Sequence, residues 1–287
     1  MDGILICTVF SSLREGFKGI LSAKVLEVIE LIEELAPPKL AENWDRIGLQ
    51  IGKKKDSVTG IVVSLDPGLG AIEFACEEQC NLLITHHPYF YRPLERIDLD
   101  TSSGKFLKLA LANGINLFCA HTNLDSAKGG INDVLADLLH LENTRPLQVH
   151  KEEGTVGMGR MGSLPQKMTL LDFANQVKKV LETPTLRMVG NPEAEVQRIA
   201  VCGGSGSKLI PLALKEEVDC YVTADIRYHE ALDALGEGFF LIDPGHFSME
   251  RVVIPSMVNY LKEGLEKKGL EVPVKGYLGE SDPFQFI

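Results

Sequence analysis

The chain has 287 residues, 45% of them hydrophobic and 24% charged, which is the composition of a folded globular protein and excludes intrinsic disorder and collagen-like repeats. A formal net charge of −11 supplies no field for holding a polyanionic backbone, so nucleic-acid binding is disfavoured. No stretch approaches the roughly 18 apolar residues of a membrane span, no signal-peptide pattern opens the chain, and the six cysteines form neither a C-x2-C pair nor a disulfide framework, so the expected setting is the reducing cytoplasm.

Residues 1–21 fit poorly with the rest of the chain and are read as an extension of unknown role. From Ser22 onward Val25, Val28, Ile29, Ile32 and Leu35 recur at helical spacing, with Ser22 as the cap and Pro37-Pro38 as the stop. A polar loop carrying the only tryptophan, Trp44, leads to Lys53-Lys54-Lys55, read as a solvated turn. Then a short apolar, β-branched run, a polar cluster and a helix-like segment alternate, the pattern of an α/β fold. The runs are Gly60–Leu65, Asn81–Thr85, Ile115–Ala120, Ile199–Cys202, Cys220–Thr223 and Phe239–Ile242, and the predicted helices cover 69–79, 104–113, 130–139, 169–182, 207–217, 228–235 and 248–268. The glycine- and proline-bearing stretch Leu141–Asn191 separates two sets of three strands. It sets a boundary near 145–165, giving lobes 22–150 and 151–287, the C-terminal helix packing back on the first.

Ligands gather outside the carboxyl ends of strands in open α/β sheets, and all six runs end in polar residues, so the site is expected there. Adjacent residues of an extended segment face opposite ways, so His86-His87 can serve two ions, or one ion and its surroundings; sharing one ion requires a sharply curved backbone, and a surface pair is the alternative. His246 and Glu250, at i and i+4, share a helical face and form a usable ligand pair. Asp125 either bridges two cations or caps the helix starting near Gly130. His121 is an orienter, a further ligand or a plain strand-end residue. Asp225 and His229 read as proton shuttle and orienter, against a helix cap and a surface imidazole. Gly203–Ser207 is either a phosphate cradle or a tight strand-to-helix turn.

Taken in order, Thr85-His86-His87-Pro88, His121-Thr122-Asn123-Leu124-Asp125, and Asp243-Pro244-Gly245-His246 with Glu250 resemble the Nif-three-like family, whose bacterial members include GTP cyclohydrolase 1 type 2 homologues. The likeness runs from about Val25 to the C-terminus and takes in Trp44-Asp45 and Gly203–Ser207. It implies two intertwined, similar α/β lobes with mixed sheets, a dinuclear metal site between them, and a ring-shaped homo-oligomer, commonly a hexamer. The family's metal ligands fall on His86, His87, Asp125, His246 and Glu250. Residues 1–21 have no counterpart in the family, and the central insertion domain of longer members is absent.

Three imidazoles and two carboxylates suit two divalent ions per chain of the Zn, Mn, Fe or Ni type better than Ca or Mg. The matching chemistry is hydrolysis of an amide, amidine or phosphoester in a small, nucleotide-like substrate, GTP ring opening being one such reaction. The alternative is a metal-binding scaffold or regulatory interaction protein without turnover, since the family's name derives from a protein interaction.

Overall fold

A computed structural model describes residues 23–151 and 153–285; the extension 1–21 and the Ser22 cap fall outside the described residues. The strands are β1 (Gly48–Ile51), β2 (Ile61–Ser64), β3 (Leu82–Thr85), β4 (Asn116–Cys119), β5 (Glu142–Val149), β6 (Gly157–Thr169), β7 (Arg187–Val189), β8 (Glu195–Val201), β9 (Cys220–Val222), β10 (Phe240–Asp243) and β11 (Val274–Gly276). The helices are α1 (Val25–Leu35), α2 (Leu69–Glu77), α3 (Ser102–Ala112), α4 (Thr122–Ser126), α5 (Ile131–Leu138), α6 (Leu170–Val180), α7 (Ile210–Lys215), α8 (Tyr228–Gly236), α9 (His246–Glu250) and α10 (Val253–Lys267). All six predicted runs form strands.

The described chain divides into two compact units, each assembled from three stretches of sequence. The first comprises residues up to Glu34, Glu42–His121 and Ile254–Glu280. Its sheet runs β1-β4-β3-β2-β11, with β4, β3, β2 and β11 parallel and β1 antiparallel at the edge. Every residue of β2, β3 and β4 is buried, which is why these strands read as unbroken apolar runs instead of alternating ones. Val62, Leu83 and Leu117 pack with Ile72 and Ala75 of α2 and with Phe106 and Ala110 of α3. Helix α1 buries Val25, Val28, Ile29, Leu31 and Ile32, at about 1.5–3 kcal/mol for each large side chain removed from water.

The second unit comprises Leu35–Ala41, Thr122–Val253 and the residues from Ser281 onward. Its sheet runs β5-β6-β8-β9-β10-β7, with β8, β9 and β10 parallel and β5, β6 and β7 added antiparallel. Ala200, Tyr221 and Leu241 pack with Ile210, Ala213 and Ala234, and the buried Tyr221 hydroxyl donates to the Gly206 carbonyl at 2.9 Å. The chain passes from the first unit to the second between His121 and Thr122.

One predicted element divides in two. The sequence predicts a single helix over 248–268, whereas α9 ends at Glu250, a turn covers Arg251–Val252 and α10 begins at Val253. Pro255 is the cause: its ring would meet the Arg251 carbonyl in a continuous helix, and it has no N–H to donate there, yet it is tolerated in the first turn of a new helix.

Strand register sets up the chemistry. Ser64 pairs with Thr85 and Thr85 with Cys119, so the residues just beyond them, Asp66, His86, His87 and His121, emerge at one edge of the first sheet. Val201, Val222 and Ile242 are likewise in register, so Gly203–Ser207, Asp225 and Gly245-His246 emerge together from the second.

Candidate metal centre

At the first sheet's carboxyl edge the imidazoles of His86, His87 and His121 converge. Ring centroids lie 4.9 Å apart for His86–His87, 5.0 Å for His86–His121 and 5.5 Å for His87–His121. One ring nitrogen from each falls within 4.8 Å of the others, the spacing of a group able to hold a metal ion. The expectation that His86 and His87 face opposite ways is corrected here. Strand β3 ends at Thr85 and the backbone bends at both histidines, as Pro88 leaves the ladder and the Thr85 hydroxyl donates to the His87 carbonyl at 2.7 Å. The sharply curved backbone that one shared ion requires is present.

Four imidazoles are held through the same atom. Nδ1 of His87 lies 2.8 Å from Asp66 Oδ1, Nδ1 of His121 2.8 Å from Asp45 Oδ1, Nδ1 of His246 2.8 Å from Asp225 Oδ2, and Nδ1 of His86 3.0 Å from the Ala120 carbonyl. Ionised carboxylates and carbonyls only accept, so each Nδ1 carries the hydrogen and donates it. In a neutral ring that leaves the lone pair on Nε2, the tautomer and orientation of a metal-ligating histidine backed by an oxygen acceptor. Asp66 is itself placed by Glu280, whose carboxylate accepts the Leu65 and Asp66 amides at 3.0 and 2.7 Å.

In the second unit His246 opens α9 and Glu250 closes it, with Nε2 and Oε2 2.9 Å apart. Burial opposes an imidazolium at His246, but hydrogen bonds and charge from Glu250 and then Asp225 prevail and raise its pKa to about 9. The metal-free ring therefore carries two protons near neutral pH, and a cation taking Nε2 must displace one. Glu250 is buried, and the Gly203-Gly204 turn packs directly on it: a Cβ on Gly204, whose φ is +60°, would lie 2.0 Å from Glu250 Oε1.

Asp125 is buried within α4, and the N-cap of α5 is Gly130 with no side-chain cap, so the capping alternative for Asp125 does not hold. Asn132 ties its segment to the glycine turn by donating to the Asp125 carbonyl and accepting from the Gly203 amide, both at 2.9 Å. Burial pushes the Cys202 thiol up to about 12, and the nearby Asp125 and then Glu250 carboxylates add to it.

The glycine loop is a tight turn. Its Gly203 and Gly206 amides are bound internally, to Asn132 and Thr223, and Gly206 is pressed against the Tyr221 and Thr223 hydroxyls. Asp225 lies outside α8 in the left-handed region, φ +57°, which breaks the helical i, i+4 relation to His229. Asp225 orients His246 instead, while His229 is exposed on the first turn of α8 against Tyr228. The sequence reading missed the roles of Asp45 and Asp66. Asp66 stood in the polar end of its strand, and Asp45 beside the lone tryptophan.

Two mixed α/β units, the first gathering His86, His87 and His121 in a group able to hold a divalent ion and the second pairing His246 with Glu250, define the class of protein. The chain belongs to the Duf34/NIF3 (NGG1p interacting factor 3) family, which it matches over residues 23–283. It is 35% identical over 267 residues to the GTP cyclohydrolase 1 type 2 homolog of Clostridium acetobutylicum, covering 93% of this chain and 100% of that protein. The homolog of the same name from Halalkalibacterium halodurans is 28% identical over 365 residues, covering 91% of this chain and 98% of that protein. That alignment is longer than this chain, so the relative carries sequence with no counterpart here. Among solved structures, a Bacillus cereus protein related to NIF3 superposes with a TM-score of 0.90 at 27% identity, covering 93% of this chain and 100% of that one. Among the described residues no helix is long and apolar enough to cross a membrane.

Proposed function

We propose that this chain is a metal-dependent hydrolase of a small, nucleotide-like substrate, with His86, His87, Asp125, His246 and Glu250 as ligands to two divalent ions. The observation that carries the reading is the shared Nδ1 lock, which aims His86, His87, His121 and His246 through Nε2. A protein core has no need to fix four imidazoles in one tautomer, whereas a metal site does. The imidazole and carboxylate donors fit Zn, Mn, Fe or Ni. When bound, such a pair supplies a nucleophile at neutral pH by lowering the pKa of water.

The chain's own residues do the rest. Asp66 and Asp225 orient His87 and His246. His121 presents Nε2 as a proton acceptor, and Asp45 stabilises the imidazolium that forms. The relatives' name makes GTP one candidate substrate, and the ring-shaped homohexamer belongs to the same proposal. The family's description as an interacting factor favours one rival, a metal-stabilised scaffold.

The test is to assay metal-loaded and chelated protein on nucleotides, phosphoesters and cyclic amides. Metal-dependent turnover that is lost in Asp125→Ala is expected. Two bound ions with no turnover on any of the three classes would overturn the hydrolase in favour of the scaffold.

A further inference from the structure

We propose that Trp44 and Tyr91 form a stacking platform that binds a planar aromatic heterocycle beside His121. Trp44 lies edge to face with Tyr91, centroids 6.1 Å apart at 67°, and with His121, 6.0 Å at 76°. These contacts leave Trp44 50% and Tyr91 56% exposed, although both are large aromatic side chains. The exposure is built rather than incidental. Asp45, next to Trp44, has a fully buried side chain bonded to His121. Gln50 joins the two loops, its amide nitrogen donating to the Arg46 carbonyl at 2.7 Å and its oxygen accepting the Tyr89 and Phe90 amides at 2.8 and 3.3 Å.

One side chain thus fixes both aromatic loops against the histidine cluster while their rings stay open to solvent. A rigid π-surface at that position gives a flat ring stacking energy at little entropic cost and selects for planarity and electron distribution, not for a hydrogen-bond pattern. A heterocyclic base is the occupant committed to, because the adjacent imidazoles carry the chemistry that would act on it. In that respect alone the inference rests on the hydrolase reading.

Trp44 is the only tryptophan in the chain, so intrinsic fluorescence reports on the platform directly. Guanosine and adenosine should quench it saturably in both metal-loaded and metal-free protein, and ribose 5-phosphate and tripolyphosphate should not. By calorimetry, Trp44→Leu should weaken guanosine binding by about 5- to 150-fold, the range for loss of one stacked base, while Trp44→Phe keeps most of the affinity. Metal content should match wild type in both variants. The platform is wrong if neither nucleoside quenches, if ribose 5-phosphate quenches equally, or if Trp44→Leu binds guanosine as wild type does. It is also wrong if the substitution changes only the oligomeric mass, since the aromatic face would then be covered by another copy. Because quenching is read without turnover or metal, failure of the platform and failure of the hydrolase reading give different results.

Discussion

Gly204→Ala separates the cost of backbone conformation from the cost of moving a ligand. Gly204 has φ +60°, a region an L-residue occupies at about 1–2 kcal/mol. For a chain of this size that lowers the melting temperature by about 2–8 °C. The new methyl would also sit 2.0 Å from Glu250 Oε1, far inside van der Waals contact, and 3.2 Å from His246 Nε2, a tight contact that a few tenths of an ångström relieve, so the Glu250 carboxylate must turn away. Since Glu250 is 3% exposed, it has no solvent to turn into and the displacement persists. Divalent-ion affinity should therefore fall by at least about tenfold, the scale for disturbing even an outer-shell partner of a metal. The assay is differential scanning calorimetry in chelator for the first effect and metal titration by calorimetry for the second. Gly236→Ala, at the end of α8 where the added Cβ meets nothing within 4 Å, is the control and should leave metal affinity unchanged without lowering the melting temperature. If Gly204→Ala binds metal like wild type while melting a few degrees lower, Glu250 is not a ligand.

Single contacts set the other expected outcomes. The His246 pKa of about 9 stands above the reference of about 6.5, so the folded metal-free chain holds this proton more tightly than the unfolded one. The stabilisation is complete below about pH 6.5 and disappears as pH rises to about 9. The melting temperature of metal-stripped protein should fall across that window, and His246→Gln should flatten the profile. Arg160, 3% exposed, pairs with Asp133 and donates to the Gly157, Gly159 and Ala127 carbonyls at 2.7, 2.8 and 2.8 Å. Arg160→Ala should lower the unfolding free energy by about 3–5 kcal/mol in urea titrations, and a loss below about 1 kcal/mol would show the clamp to be dispensable. Burial raises the thiol pKa of Cys202 to about 12 and pushes Cys220 up as well, so mass mapping after native alkylation at pH 8 should find both unmodified and Cys76, which is partly exposed, labelled before them.

Much of the fold was legible because doubly covered parallel strands are continuous apolar runs. β2, β3, β4, β8, β9 and β10 lie where those runs are, each ending in the polar residues that make the site. Edge elements were not legible. β7 and β11 have three residues each, and β5 exposes most of its length, so neither hydrophobicity nor alternation marks them. The Leu141–Asn191 stretch, read as a boundary, contains the β5–β6 hairpin, its glycines and Pro165 lowering the strand signal of β6, while α6 within it lies where a helix over 169–182 was predicted. The transfer at Thr122 was invisible too, since α4 and α5 belong with the second sheet through packing that no local pattern encodes.

Local motifs named the candidate ligands, because His86-His87 and His246 with Glu250 are close in sequence. Their orienting partners stayed hidden. Asp66 is 21 residues from His87, Asp45 is 76 from His121, and only sheet register brings them together.

The most direct test of the metal centre is the metal content of purified protein after reconstitution, measured by elemental analysis in wild type, Asp125→Ala and His246→Ala. About two transition-metal equivalents per chain are expected in wild type, with a sharp drop in both variants. Wild type that stays metal-free, or variants that keep the full complement, would contradict the ligand assignment.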